Sequence, residues 1–143
     1  MTIMTNSPSV YIAIALRTRS HYDNIIRVIC AVVEKAGMNP IVFVDQFDYA
    51  PQEARAMMQM AFQTLENADL LIVEGSEKAI GVGVEVGYAA GKNKPIIYLR
   101  HENAEYSTTV GGTATYALVY QDAEDLHQQL IRTLRELGYQ SGA

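Results

Sequence analysis

Asp69-Leu70-Leu71-Ile72-Val73, followed after a short polar stretch by Gly81-Val82-Gly83-Val84-Glu85-Val86-Gly87, decides the fold. An unbroken apolar run after an aspartate suits a strand covered on both faces, as in a parallel sheet. The glycine-rich segment reads as a turn into a helix over residues 85–92, because Gly81 and Gly83 remove side chains where the backbone bends. Strand, turn and helix in that order make one unit of an α/β domain.

The unit recurs on both sides. Residues 10–16 form another apolar run, and over residues 21–35 Ile25, Ile26, Ile29, Val32 and Val33 return at helical spacing before Gly37. Residues 40–44 (Pro-Ile-Val-Phe-Val) predict a second strand. Pro51 then opens a helix to about residue 66, with Met57, Met60, Ala61 and Leu65 facing inward as core filler. Residues 95–99 and 116–120 complete five strands, and residues 123–137 form a closing helix. The alternation predicts a five-stranded parallel sheet with helices on both faces and right-handed crossovers, in the order 2-1-3-4-5. Residues 101–115 stand out as a polar loop with Gly111-Gly112, long enough to suggest a functional or interface role.

With 143 residues, 49% of them hydrophobic, the chain builds one core. Residues 10–143 are read as a single domain and residues 1–9 as a frayed or vector-derived tail. Eleven Lys and Arg against 16 Asp and Glu give a net charge of −5, which argues against nucleic acid or an anionic membrane as partner. Cys30, the only cysteine, sits among apolar neighbours as a core residue and excludes an intrachain disulfide. His21, His101 and His127 are too scattered to suggest a metal site, and no cofactor is expected. No apolar stretch approaches the ~20 residues that span a bilayer, and no signal peptide is legible, so a cytoplasmic location is expected.

In an open parallel sheet, ligands collect beyond the C-terminal ends of the strands. Those ends fall at residues 15–22, 74–85 and 100–115. Gly81 and Gly83 let the backbone approach a ligand, and Glu85 is placed in the first turn of its helix. There the helix dipole favours its ionised form while burial opposes it. Two readings of Glu85 stay open: a helix cap, or a carboxylate that attacks a sugar carbon. Arg17 and Arg19 suit a phosphate or carboxylate ligand or a solvated surface. Glu74, Glu77 and Lys78 read as an exposed loop. Tyr88, Tyr98 and Tyr106 read as core or interface residues.

The segments Asp69-Leu-Leu-Ile-Val73, Gly81-Val-Gly-Val-Glu85-Val-Gly87-Tyr-Ala89 and Lys94-Pro-Ile-Ile-Tyr-Leu99 resemble the nucleoside 2-deoxyribosyltransferase superfamily, which includes 2′-deoxynucleoside 5′-monophosphate N-hydrolases. The resemblance runs from Val10-Tyr11 to Ser107 and Gly112. It implies a flavodoxin-like, Rossmann-like three-layer sandwich and a homodimer or higher homo-oligomer with shared sites. It also implies Glu85 as nucleophile with Tyr11 positioning it, Arg17 as a substrate contact, and Ser107 reaching a neighbouring subunit's phosphate, with Thr108 or Thr109 in its place if the loop register shifts. Alanines stand at three positions where the family has polar contacts: Ala61 for the aspartate that protonates the base, Ala79 for an aspartate or serine, and Ala15 for a phosphate-binding serine. Three functions follow as expectations: an N-glycosidase or deoxyribosyltransferase-like enzyme, a non-catalytic nucleotide or small-molecule binding protein, and an NAD glycohydrolase whose cationic base leaves without protonation.

Overall fold

The computed structural model describes residues 7–139. Five parallel strands, β1 (Ser9–Ile14), β2 (Asn39–Val42), β3 (Leu70–Glu74), β4 (Ile96–His101) and β5 (Tyr116–Tyr120), form one sheet in the order β2-β1-β3-β4-β5, as expected. Register is set by pairs such as Tyr11 with Ile41 on one side of β1 and Tyr11 with Leu71 on the other.

Side chains alternate across the strands and split the core in two. Val10, Ile12, Leu70 and Ile72 face a layer made by α1 (Asp23–Lys35) and α6 (Ala123–Glu136). Tyr11, Ala13, Leu71 and Val73 face α3 (Ala54–Asn67) and α4 (Ile80–Gly91). Gly37, just past α1, takes φ +84°, the left-handed turn that ends the helix.

Several elements differ from the sequence reading. Ser9 belongs to β1, paired with Asn39, so β1 begins inside the expected tail; residues 1–6 lie outside the described residues. Leu16 leaves β1 for a 3₁₀ turn, Leu16–Tyr22. The second strand stops at Val42, and α2 (Phe43–Gln46) turns Phe43 inward against Tyr11. The polar loop holds a short helix, α5 (Thr108–Thr113). The most consequential difference is α4, which starts at Ile80, five residues before the expected start. Its glycines are poor helix formers, yet Val82, Val86 and Ala89 are buried against the sheet, and that packing overrides propensity.

Candidate active site

The chain reverses direction across the sheet between β1 and β3, the topological switch point of this fold. A cavity of about 540 Å³ opens beside the strand ends there. The end of β1 contributes Ala15, Leu16 and Arg17 to its wall. The α2 region contributes Phe43, Phe47, Asp48 and Tyr49, and α3 contributes Met57, Met58 and Ala61. The β3–α4 segment supplies residues 77–82, and Glu85 completes the lining.

Glu85 is 9% exposed, and one oxygen of its carboxylate, Oε2, accepts a hydrogen bond from the Tyr11 hydroxyl. Tyr11 comes from the middle of β1, where it is fully buried, and its ring stacks on Phe43 with centroids 5.6 Å apart. Burial pushes the Glu85 carboxyl up to about 7; the Tyr11 hydroxyl works in the opposite direction and loses. Tyr11 is itself pushed well up, by burial first and then by the Glu85 charge, so it remains the donor at any physiological pH. The expected place of Glu85 in the first helical turn is corrected: it is the sixth residue of α4, and the first turn holds no acid. The helix dipole falls off within one turn, so burial decides the protonation of this group. A carboxylate half ionised near neutral pH in an apolar cavity can attack an electrophilic carbon or pair with a cation.

The mouth is charged but self-neutralised. Arg17 Nη2 lies 2.6 Å from Glu77 Oε1, and Lys78 Nζ lies 3.0 Å from Glu105 Oε1. Arg19 is engaged elsewhere: its guanidinium donates to both Asp45 oxygens at 2.9 and 2.7 Å and to Asp23 at 2.7 Å. It ties the 3₁₀ turn to α1 and α2. Among the described residues no three His, Cys, Asp or Glu side chains converge as a metal site.

Of the remaining candidates, Gly81 lines the cavity, whereas Gly83 lies exposed on α4 outside the lining. Ser107 caps α5, its Oγ accepting from the Val110 amide, and its own amide donates to the Tyr98 hydroxyl at 2.9 Å. Neither Ser107 nor the exposed Thr109 touches this cavity within one chain. Ala15, Ala61 and Ala79 all line it.

Two features escaped the sequence reading. Phe43, Phe47 and Tyr49 form a row of rings leading out from Tyr11, with successive centroids 4.7 and 6.5 Å apart beyond Phe43. Their spacing in the sequence was the available signal, hidden by reading residues 43 and 44 as strand. Glu74 is no exposed loop residue: it ends β3, is 1% exposed, and accepts from the Tyr120 hydroxyl at 2.6 Å and from the Ser76 amide and hydroxyl at 2.8 and 2.9 Å.

The family model described as nucleoside 2-deoxyribosyltransferase matches residues 10–141. A protein of Syntrophotalea carbinolica, named as a 2′-deoxynucleoside 5′-phosphate N-hydrolase, is 36% identical over 75 residues, or 50% of this chain and 53% of that one. The match thus spans about half the length of that curated relative. A Clostridium botulinum CMP N-glycosidase superposes with TM-score 0.65 at 20% identity, covering 88% of this chain and 99% of that one. A conserved protein of Enterococcus faecalis V583 superposes with TM-score 0.58 at 15% identity, over 90% and 99%. At such identities the two superpositions show the shared fold.

Proposed function

The chain belongs to the nucleoside 2-deoxyribosyltransferase family, and on that premise we propose that it cleaves the N-glycosidic bond of a nucleoside, nucleotide or related small molecule with Glu85 as nucleophile. The observation that carries this reading is the buried Tyr11–Glu85 pair at the wall of a cavity large enough for such a ligand. The ionised Glu85 carboxylate bonds to C1′ of the sugar, and the C1′–N bond breaks with its electron pair leaving on the base. Water or an acceptor base then takes C1′ and returns the carboxylate. Tyr11 holds Oε2 in place, leaving Oε1 to attack. Ala61 offers no proton, so a neutral base takes its proton from solvent at the mouth, and a cationic base, as in NAD, needs none.

The test is release of free base from a panel of nucleosides, nucleotides and NAD. The expected result is turnover by the wild-type chain that Glu85→Gln abolishes; no release from any member of the panel refutes the reading.

A second reading, a binding protein without turnover, is favoured by the alanines at positions 15, 61 and 79, which line the cavity where the resemblance expects polar contacts. Saturable ligand-induced thermal shifts with no product would select it. In either case we place the protein in the cytoplasm as a homodimer or higher homo-oligomer with shared sites. Support comes from α4, whose Ile80 and Val84, one turn apart, are 90% and 43% exposed. Sedimentation equilibrium tests this, and a monomer at micromolar concentration refutes it.

A further inference from the structure

Resting on the N-glycosidase reading, we propose that the cavity selects nucleosides with a free 5′-hydroxyl over their 5′-monophosphates, and that Glu77, by holding Arg17, sets that selection.

A phosphate dianion is held by cations or N–H groups that are free to turn toward it. The wall has two cationic side chains, Arg17 and Lys78, and each already faces a carboxylate at salt-bridge distance. Asp48, Glu77 and Glu85 lie on the same wall, and Glu105 sits over Lys78. Four carboxyl groups therefore surround two neutralised cations. Among the described residues, the other positive feature of the wall is the start of α4, whose N-cap, Ala79, brings no side chain to the first amides. A helix N-terminus is worth roughly half a positive charge. Arg17 already neutralises Glu77, so the charge that opposes this half-charge is that of Asp48 on the same wall, which has no salt-bridge partner among the described residues. A phosphate drawing Arg17 away would also leave Glu77 unpaired beside it, so like-charge repulsion works against the phosphorylated ligand.

The apolar part of the lining fits this ligand class. Phe47, Tyr49, Met57 and Met58 bring rings and thioethers to the lining, along with Ala61. Such a surface reads an aromatic base by stacking and dispersion, not by a set of hydrogen bonds.

The experiment measures affinity of the full chain for matched pairs, 2′-deoxyadenosine against its 5′-monophosphate and thymidine against its 5′-monophosphate, by calorimetry at about 0.15 M salt. Base release is followed in parallel. The wild type should bind the nucleoside at least about tenfold more tightly, and Glu77→Gln should bring that ratio close to one by improving the monophosphate's affinity, as release of a like charge from an exposed site predicts. Equal or tighter monophosphate binding by the wild type overturns the proposal, as does a ratio unmoved by Glu77→Gln or failure to bind either member. Nucleoside binding without base release refutes the enzymatic reading and leaves the selection standing. Base release that favours monophosphates refutes the selection and leaves the enzyme.

Discussion

Tyr11 donates its hydroxyl proton to Glu85, 74 positions further along the chain, and so joins the centre of the sheet to the second turn of α4. Removing the hydroxyl by Tyr11→Phe withdraws a hydrogen bond to a buried charge, worth about 1.5–3 kcal/mol, or roughly one to two pKa units. Because that bond holds Glu85 down, its loss moves the alkaline-rising limb of the pH–rate profile upward from about 7. Base release at pH 7 should fall about tenfold and partly recover at pH 9. A limb that stays in place would show that Tyr11 does not tune the nucleophile.

Glu85 also burdens the fold, with a definite pH dependence. Its carboxyl titrates near 7 in the folded chain against 4.5 unfolded, so the native state binds the proton more tightly. The stability this contributes is fully present below pH 4.5 and is lost as pH rises through 7. The loss amounts to roughly 3 kcal/mol at most. Glu85→Gln keeps an acceptor for Tyr11 but carries no charge. It should therefore raise the melting temperature by several degrees at pH 8, the gain shrinking toward zero at pH 4. A variant less stable than wild type at pH 8 contradicts this account.

Glu74 is the second buried carboxyl, on the opposite face of the sheet, where it gathers Tyr120 and Ser76 while Ser76 Oγ accepts from the His101 amide at 2.8 Å. Glu74→Ala strands the Tyr120 hydroxyl and the Ser76 amide together. A loss of about 2–4 kcal/mol in denaturant unfolding is expected. Tyr120→Phe, which removes one partner only, should cost about 1–2 kcal/mol. Tyr120 lowers a carboxyl that burial has raised, so this second variant should also move Glu74 further up, visible by carboxyl carbon NMR.

Ala61 is the position at which the sequence resemblance expects a proton donor, and it is 2% exposed on the cavity wall. Ala61→Asp places an acid where a departing base can take its proton. Release of neutral bases should rise about tenfold or more, while a cationic base gains little. Burying the new carboxyl should lower stability by about 1–3 kcal/mol. An equal effect on neutral and cationic bases would show that protonation is not what the wild-type cavity lacks.

The legible part of this protein is local. The apolar run at residues 70–73 marks a strand because a doubly covered strand has no polar face to interrupt it; the run at 116–120 marks one as well, although as the edge strand it leaves Ala117 and Val119 exposed. Helical spacing from Ile26 to Val33 marks α1 for the equivalent reason. Where local preference and packing disagree, packing wins. The glycines of α4 hid its first turn, and a β-rich Val-Phe-Val hid the turn that sends Phe43 inward. Glu74 looked exposed because the reading ended its strand one residue early.

Sequence alone marked the strands, the helices and the segment that carries Glu85, since each rests on patterns within some fifteen residues of chain; the strand order, expected from the α/β alternation, joins residues as far apart as Val10 and Leu70. Tertiary structure alone decided that Tyr11 meets Glu85, that burial and not the helix dipole sets its charge, and that Arg17 answers to Glu77. Charge and pKa depend on what surrounds a group in space, and these neighbours lie 60 and 74 residues apart. No local periodicity encodes such a meeting; only the closing of the strand ends around one cavity brings it about.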